Sequence, residues 1–162
     1  MNIVYDMNNL KLSNIFFLDS KRNIIMDGKF TKIIHSDELI TINGIYLQIL
    51  FSINLIDKFK SVNKNMNKYF MKFIPNDTNN NKIINELSKI EEGLIDHYKK
   101  TFSCKKTPIF LLKDQLITGN VKLYREIPHL NKNSNFILKI SGIWENNENI
   151  GITYKFMEVY TL

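Results

Sequence analysis

Apolar and polar positions alternate with a period of two through most of the chain, and the period lengthens to a helical one only once, which predicts a mainly β protein with one main helix. Residues 14–18 and 24–26 read as strands around a polar DSKRN turn, and Asp27-Gly28 is a two-residue hairpin signal. In the strand 29–36, Phe30, Lys32 and Ile34 fall on one face and Thr31, Ile33 and His35 on the other. SDE makes the next turn, 39–42 the next strand, and Asn43-Gly44 a second turn signal. Residues 45–54 are apolar enough for a strand buried on both faces. Beyond Asp57 the sequence predicts a basic loop over 57–67 and a strand over 68–74, ended by Pro75.

The helical period spans 82–100, where Ile83, Leu87, Ile90, Leu94 and Tyr98 recur at three and four residues. Glu91, Glu92 and Asp96 read as its solvated face, and Lys99 and Lys100 suit the C-terminal end of the dipole. Short strands are expected at 109–112, at 116–118 and at 121–125, the last two folding about Gly119-Asn120. The closing hairpin, FILKISGIWENNENIGITYKF, alternates on both sides of a polar loop taken as 145–149. That register puts Leu138, Ile140 and Trp144 on an apolar face with Phe156, Tyr154 and Ile150. Lys139 then lies opposite Lys155 and Ser141 opposite Thr153 on the other face. Like charges directly opposite each other cost a few tenths of a kcal/mol or more, and a phosphate between them reverses the sign. No repeat or composition break asks for a second domain, so 1–162 reads as one. A meander, a helix and then hairpins is the element order of a five-stranded Greek-key barrel with its helix between strands three and four, the OB-fold; another small α+β barrel or sandwich fits the same order.

Charge sharpens this picture. The chain carries a net charge of +6, which suits a polyanionic partner. Alanine is absent and arginine occurs only as Arg22 and Arg125, the usage of an AT-rich coding sequence, so placement rather than the lysine total must decide. Lysines interleave with aromatics in 58–73: Lys58, Lys60, Lys64, Lys68 and Lys72 with Phe59, Tyr69, Phe70 and Phe73. Lys122, Tyr124 and Arg125 repeat the combination. Single-stranded nucleic acid asks for both parts, cations along the phosphates and rings for unpaired bases. Phe30, Phe51, Phe136, Trp144 and Phe156 are expected in the core, whereas Tyr69, Phe70 and Tyr124 are candidates for stacking.

Catalytic constellations are missing from the sequence: no G-x-S-x-G, no glycine-rich phosphate loop and no H-E-x-x-H. His35, His97 and His129 have no metal-ligand spacing, and Cys104, the one cysteine, sits in SCKK without a partner base. Neither an enzyme, a metal nor a cofactor is expected. The opening MNIVYDMNNLKL has no basic and apolar leader pattern, so an intracellular, cytoplasmic protein with no membrane partner is expected.

Two stretches, MDGKFTKIIHSDELITINGIYLQI (26–49) and FILKISGIWENNENIGITYKF (136–156), resemble single-stranded DNA-binding proteins of large cytoplasmic DNA viruses, a group similar to the T7-phage type. The notes that carry the likeness are FTKIIHS, NGIYL and KISGIWE…IGITYKF, about a quarter of the chain. The resemblance implies an OB-fold, binding without sequence preference, and a role in replication or recombination; the AT-rich usage suits such a virus, with its replication compartment in the cytoplasm, and equally a linear cytoplasmic plasmid that encodes its own replication proteins. Replication proteins, or further copies of the chain, are the expected protein partners beside single-stranded DNA. The family's acidic tail with a terminal aromatic is not matched by KFMEVYTL, where Glu158 is the only acid, so that tail's role is not carried over. The expected function is therefore sequence-independent binding of single-stranded DNA through Lys58, Lys60, Lys64, Lys68, Tyr69, Phe70, Lys72, Lys122, Tyr124, Arg125, Lys139 and Lys155. A β-rich interaction or virion structural protein and an RNA-binding OB module are the alternatives.

Overall fold

A computed structural model describes residues 4–23, 27–60, 67–125 and 134–160. Among the described residues, two short 3-10 turns lead into eleven strands and two α-helices. The first seven strands are β1 (Ile15–Phe17), β2 (Lys21–Asn23), β3 (Gly28–Ser36), β4 (Thr41–Asn43), β5 (Ile45–Ile49), β6 (Ile53–Lys60) and β7 (Asn67–Phe73). Helix α1 (Thr78–Phe102), β8 (Thr107–Pro108), helix α2 (Leu111–Ile117), β9 (Asn120–Arg125), β10 (Ser134–Glu145) and β11 (Asn149–Tyr160) complete the order. The described strands join one open, mixed sheet along the path β1-β3-β10-β11-β9-β7-β6, with β2 and β4 beside β3, β5 beside β10 and β8 beside β11 off that path. Pairing is antiparallel except where β9 and β8 run parallel to β11.

The mainly β class holds, but the described strands do not close into five-stranded barrel form: β1 and β6 stand at opposite ends of the path. The reason lies in 53–73. Instead of a basic loop from Asp57, β6 runs on to Lys60 and pairs with β7, which in turn pairs with β9 and widens the sheet. Asn43-Gly44 also departs from expectation. The chain does not reverse there; it passes from pairing with β3 to pairing with β10. Gly44, at φ +90°, donates its N–H to Ile33 O, and a Cβ on it would meet Ile140 O at 2.7 Å.

Helix α1 starts four residues before the expected point, because Asp77 caps it by accepting from the Asn79 and Asn80 N–H groups. Its apolar stripe, including Ile83, Leu87, Leu94, Ile95 and Tyr98, joins the buried core beneath β5, β7, β9, β10 and β11. The buried Asn80 side chain accepts from Ser52 N and donates to Ser52 O and Ile74 O, tying the helix start to both the β5–β6 junction and the end of β7.

Helix α2 replaces the strands expected at 109–112 and 116–118. Glu91 is the cause. It belongs to the buried stripe of α1, not to a solvated face, and its two carboxylate oxygens accept the Leu112 and Lys113 N–H groups at 3.0 and 2.9 Å. A carboxylate on the first backbone donors of α2 supplies what a local N-cap would. Burial pushes Glu91 above the usual carboxylate range, against those hydrogen bonds. No helix of the described residues is long and apolar enough to cross a membrane.

Candidate functional site

Strand alternation sorts the side chains of the wide sheet onto two faces. One row across five strands reads Leu47, Leu138, Phe156, Leu123, Tyr69, and it ends on Lys58 in β6. The first four of these are core residues, and Tyr69 packs against them. One residue along, the row reads Tyr46, Lys139, Lys155, with Phe70 and Asp57 at the far side. Lys122 stands between, opposite Phe70 in β7 and, one step back along the parallel register, beside Lys155. A neighbouring row on the same face holds Gln48, Ile137, Met157 and Tyr124, and Lys68 aligns with Phe59. Neither α1 nor α2 packs on this second face: the core that they complete is on the other.

The second face is basic and ring-bearing. Lys68, Lys72, Lys122, Lys139 and Lys155 share it with Tyr46, Phe59, Phe70 and Tyr124. Tyr124 and Phe59 are 47% and 51% exposed. Lys122 Nζ sits 4.6 Å from the Tyr124 ring centroid and Lys155 Nζ 5.9 Å, while Lys139 Nζ sits 5.0 Å from that of Tyr46. Lys122 also donates to the Tyr124 hydroxyl at 3.3 Å. These cation–π contacts are worth about 0.5–1 kcal/mol each when exposed and hold the ammonium groups beside the rings. Phe59 and Phe70 meet edge to face at 5.5 Å. Among the described strand residues of this face the one acid is Asp57, paired with Lys72 at 2.5 Å. The face can therefore take an anionic, ring-stacking ligand without displacing a second carboxylate.

Of the residues the sequence nominated, Lys68, Phe70, Lys72, Lys122, Tyr124, Lys139 and Lys155 are brought together on this face. Tyr69 and Lys58 are not: they pair with each other on the opposite side, and Tyr69 packs on the core. Their positions are odd by one in strands whose alternation decides the face. Lys60 and Arg125 end β6 and β9, with side chains outside the described set, and Lys64 lies outside the described residues.

Sequence reasoning missed Tyr46, because 45–54 looks apolar on both faces. The alternation was there to be read: in IYLQI, Ile45, Leu47 and Ile49 are buried while Tyr46 and Gln48 are not.

The closing hairpin keeps the expected Lys139–Lys155, Ile140–Tyr154 and Leu138–Phe156 pairs. Its loop is shorter, with Asn146 Oδ1 accepting from the Glu148 and Asn149 N–H groups, and the register slips between Ile140 and Gly142. That bulge at Ser141 flips the parity beyond it. Ile143 turns inward and pairs with Ile152, while Trp144 pairs with Gly151 and leaves the core side. Phe30, opposite Trp144 on β3, leaves it too. Phe51, Phe136 and Phe156 are buried as expected, whereas Phe30 and Trp144 are only partly buried and lie outside the core cluster.

A second cluster gathers at the other side of the hairpin end. Glu145 Oε1 accepts from the Tyr98 hydroxyl at 2.6 Å, and Oε2 receives Lys106 at 2.8 Å and the Cys104 thiol at 3.9 Å. Burial pushes this carboxyl up, but the Lys106 and Tyr98 hydrogen bonds outweigh it and hold Glu145 below the usual range. Both oxygens are thus engaged, and Cys104 faces a carboxylate that is already committed to a cation. The cluster joins the end of α1 to the end of β10. Among the described residues no group of three or more His, Cys, Asp or Glu is placed to hold a metal ion.

No protein-family model, no curated protein and no solved structure matches this chain.

Proposed function

We propose that this protein binds single-stranded DNA without sequence preference, as a non-enzymatic, OB-like module that serves replication or recombination. The observation that carries this is the lysine row. Lys139, Lys155 and Lys122 stand side by side on three adjacent strands, flanked by Tyr46, Tyr124 and Phe70, on the face that the helices leave open. Neighbouring strands are about 4.8 Å apart, so the charges of such a row repel one another unless an anion lies along it. A phosphate backbone meets that demand, and unpaired bases can use the rings, each stack being worth about 1–3 kcal/mol. The meander–helix–hairpin order supports an OB-like reading of the platform.

The direct test is fluorescence anisotropy of labelled oligo-dT and of a duplex of equal length. Single-strand binding at low salt, weakened on duplex, is expected; a protein that leaves both probes untouched overturns the proposal. Competition by oligo-U separates an RNA-binding module, in which a 2′-hydroxyl contact favours RNA. An interaction or virion structural protein is favoured by one observation, the exposed Leu55 and Phe59 on β6, a strand at the end of the sheet path. It predicts a stable oligomer on sizing and no oligonucleotide binding.

A further inference from the structure

We infer that Phe30 and Trp144 form a second base-stacking patch, so that a bound strand runs along the β10–β11 hairpin rather than across the lysine row alone. This rests on the single-strand reading above and adds a site to it. The bulge at Ser141 is the device: it puts Trp144 on the same face as Lys139, although the two are an odd number of residues apart.

Both rings lie over glycine. A Cβ on Gly151 would meet the Trp144 indole at 2.6 Å, and one on Gly142 would meet the Phe30 ring at 2.6 Å. The indole N–H is spent on Ile152 O at 3.1 Å, which holds the ring down on β11 and leaves no polar group seeking a partner. Neither ring belongs to the core cluster, so the hydrophobic interior does not explain them. Lys21 pairs with Phe30, and Lys32 pairs with Gly142; both lysines are exposed, and no acid shares the patch among the described strand residues. Flat rings set between cations, continuous along two strands with the lysine row, fit the unpaired bases of the same polynucleotide. Covering a glycine needs an apolar side chain but not an aromatic one, which is what the variants exploit.

The test follows labelled oligo-dT of increasing length by anisotropy while recording the emission of Trp144, the single tryptophan. Phe30→Leu and Trp144→Leu keep an apolar cover over each glycine, and circular dichroism checks their fold. Quenched Trp144 emission with long but not short oligonucleotides is expected. Phe30→Leu, which keeps the indole reporter, should weaken long-oligonucleotide binding roughly 5-fold to 150-fold, the range for one lost stack, and leave the shortest bound length unchanged. If anisotropy rises at every length while Trp144 emission and the Phe30→Leu affinity stay as they were, the second patch is wrong and the lysine row stands. If anisotropy never rises at low salt, the single-strand reading fails and takes the patch with it.

Discussion

The two faces of the sheet are built by the same strands in the same register, yet they answer to different demands. On the inner face, Leu47, Leu138, Phe156 and Leu123 are sealed by the helices, and none is more than 3% exposed. One residue along each strand, Tyr46, Lys139, Lys155 and Lys122 lie on the face the helices leave open. The inner row explains why the chain folds. The outer row adds little to folding, because the repulsion of its like charges offsets the cation–π contacts that Lys139 and Lys122 make with Tyr46 and Tyr124.

The comparison breaks first at the inner row. Leu138→Ala should cost about 2–5 kcal/mol, the range for emptying a fully buried leucine site, read from urea unfolding. Glu91→Ala comes next, since it strands the buried Leu112 N–H and the part-buried Lys113 N–H: a loss of about 1–3 kcal/mol is expected, with Glu91→Gln recovering part of it.

A smaller effect concerns pH. His35 is buried, its Nδ1 has no hydrogen-bond partner, and burial pushes its pKa down against a lesser upward pull from Asp37. The unfolded chain takes the proton near pH 6.5 and the folded one resists it, so the contribution is full above that value and is lost as pH falls through it towards the folded pKa. The urea midpoint should fall between pH 7.5 and 5.5, and His35→Phe should reduce that dependence. Smallest of all is the outer row itself. Lys139→Ala or Lys155→Ala should move stability by no more than about 0.5 kcal/mol, because relief of the facing charge offsets the lost cation–π contact.

What was legible in the sequence followed from the period of two. The faces of β3 and the Lys139–Lys155 pair can be read from alternation alone, because a strand gives its side chains no other choice. What was hidden depended on partners distant in sequence or on a single inserted residue. Nothing local in IFLLKDQLIT signals α2, whose first turn is held by Glu91 some twenty residues earlier. Nothing in SGIW announces the bulge at Ser141 that moves Trp144 across the sheet. A lysine-rich 57–67 looks like a solvated loop until β7 is there to pair with β6. For the candidate site, the lysines were visible and their company was not, as Tyr46 and Lys139 meet only through the β5–β10 pairing.

The central claim is that the outer lysine row holds phosphates. The dependence of oligo-dT affinity on salt, compared between the native protein and Lys139→Ala/Lys155→Ala, tests it most directly. The account predicts a steep fall of log affinity with log salt for the native protein, and a slope shallower by about 0.7 for each phosphate contact removed in the variant. An affinity indifferent to salt, or a variant whose slope matches that of the native protein, would contradict it.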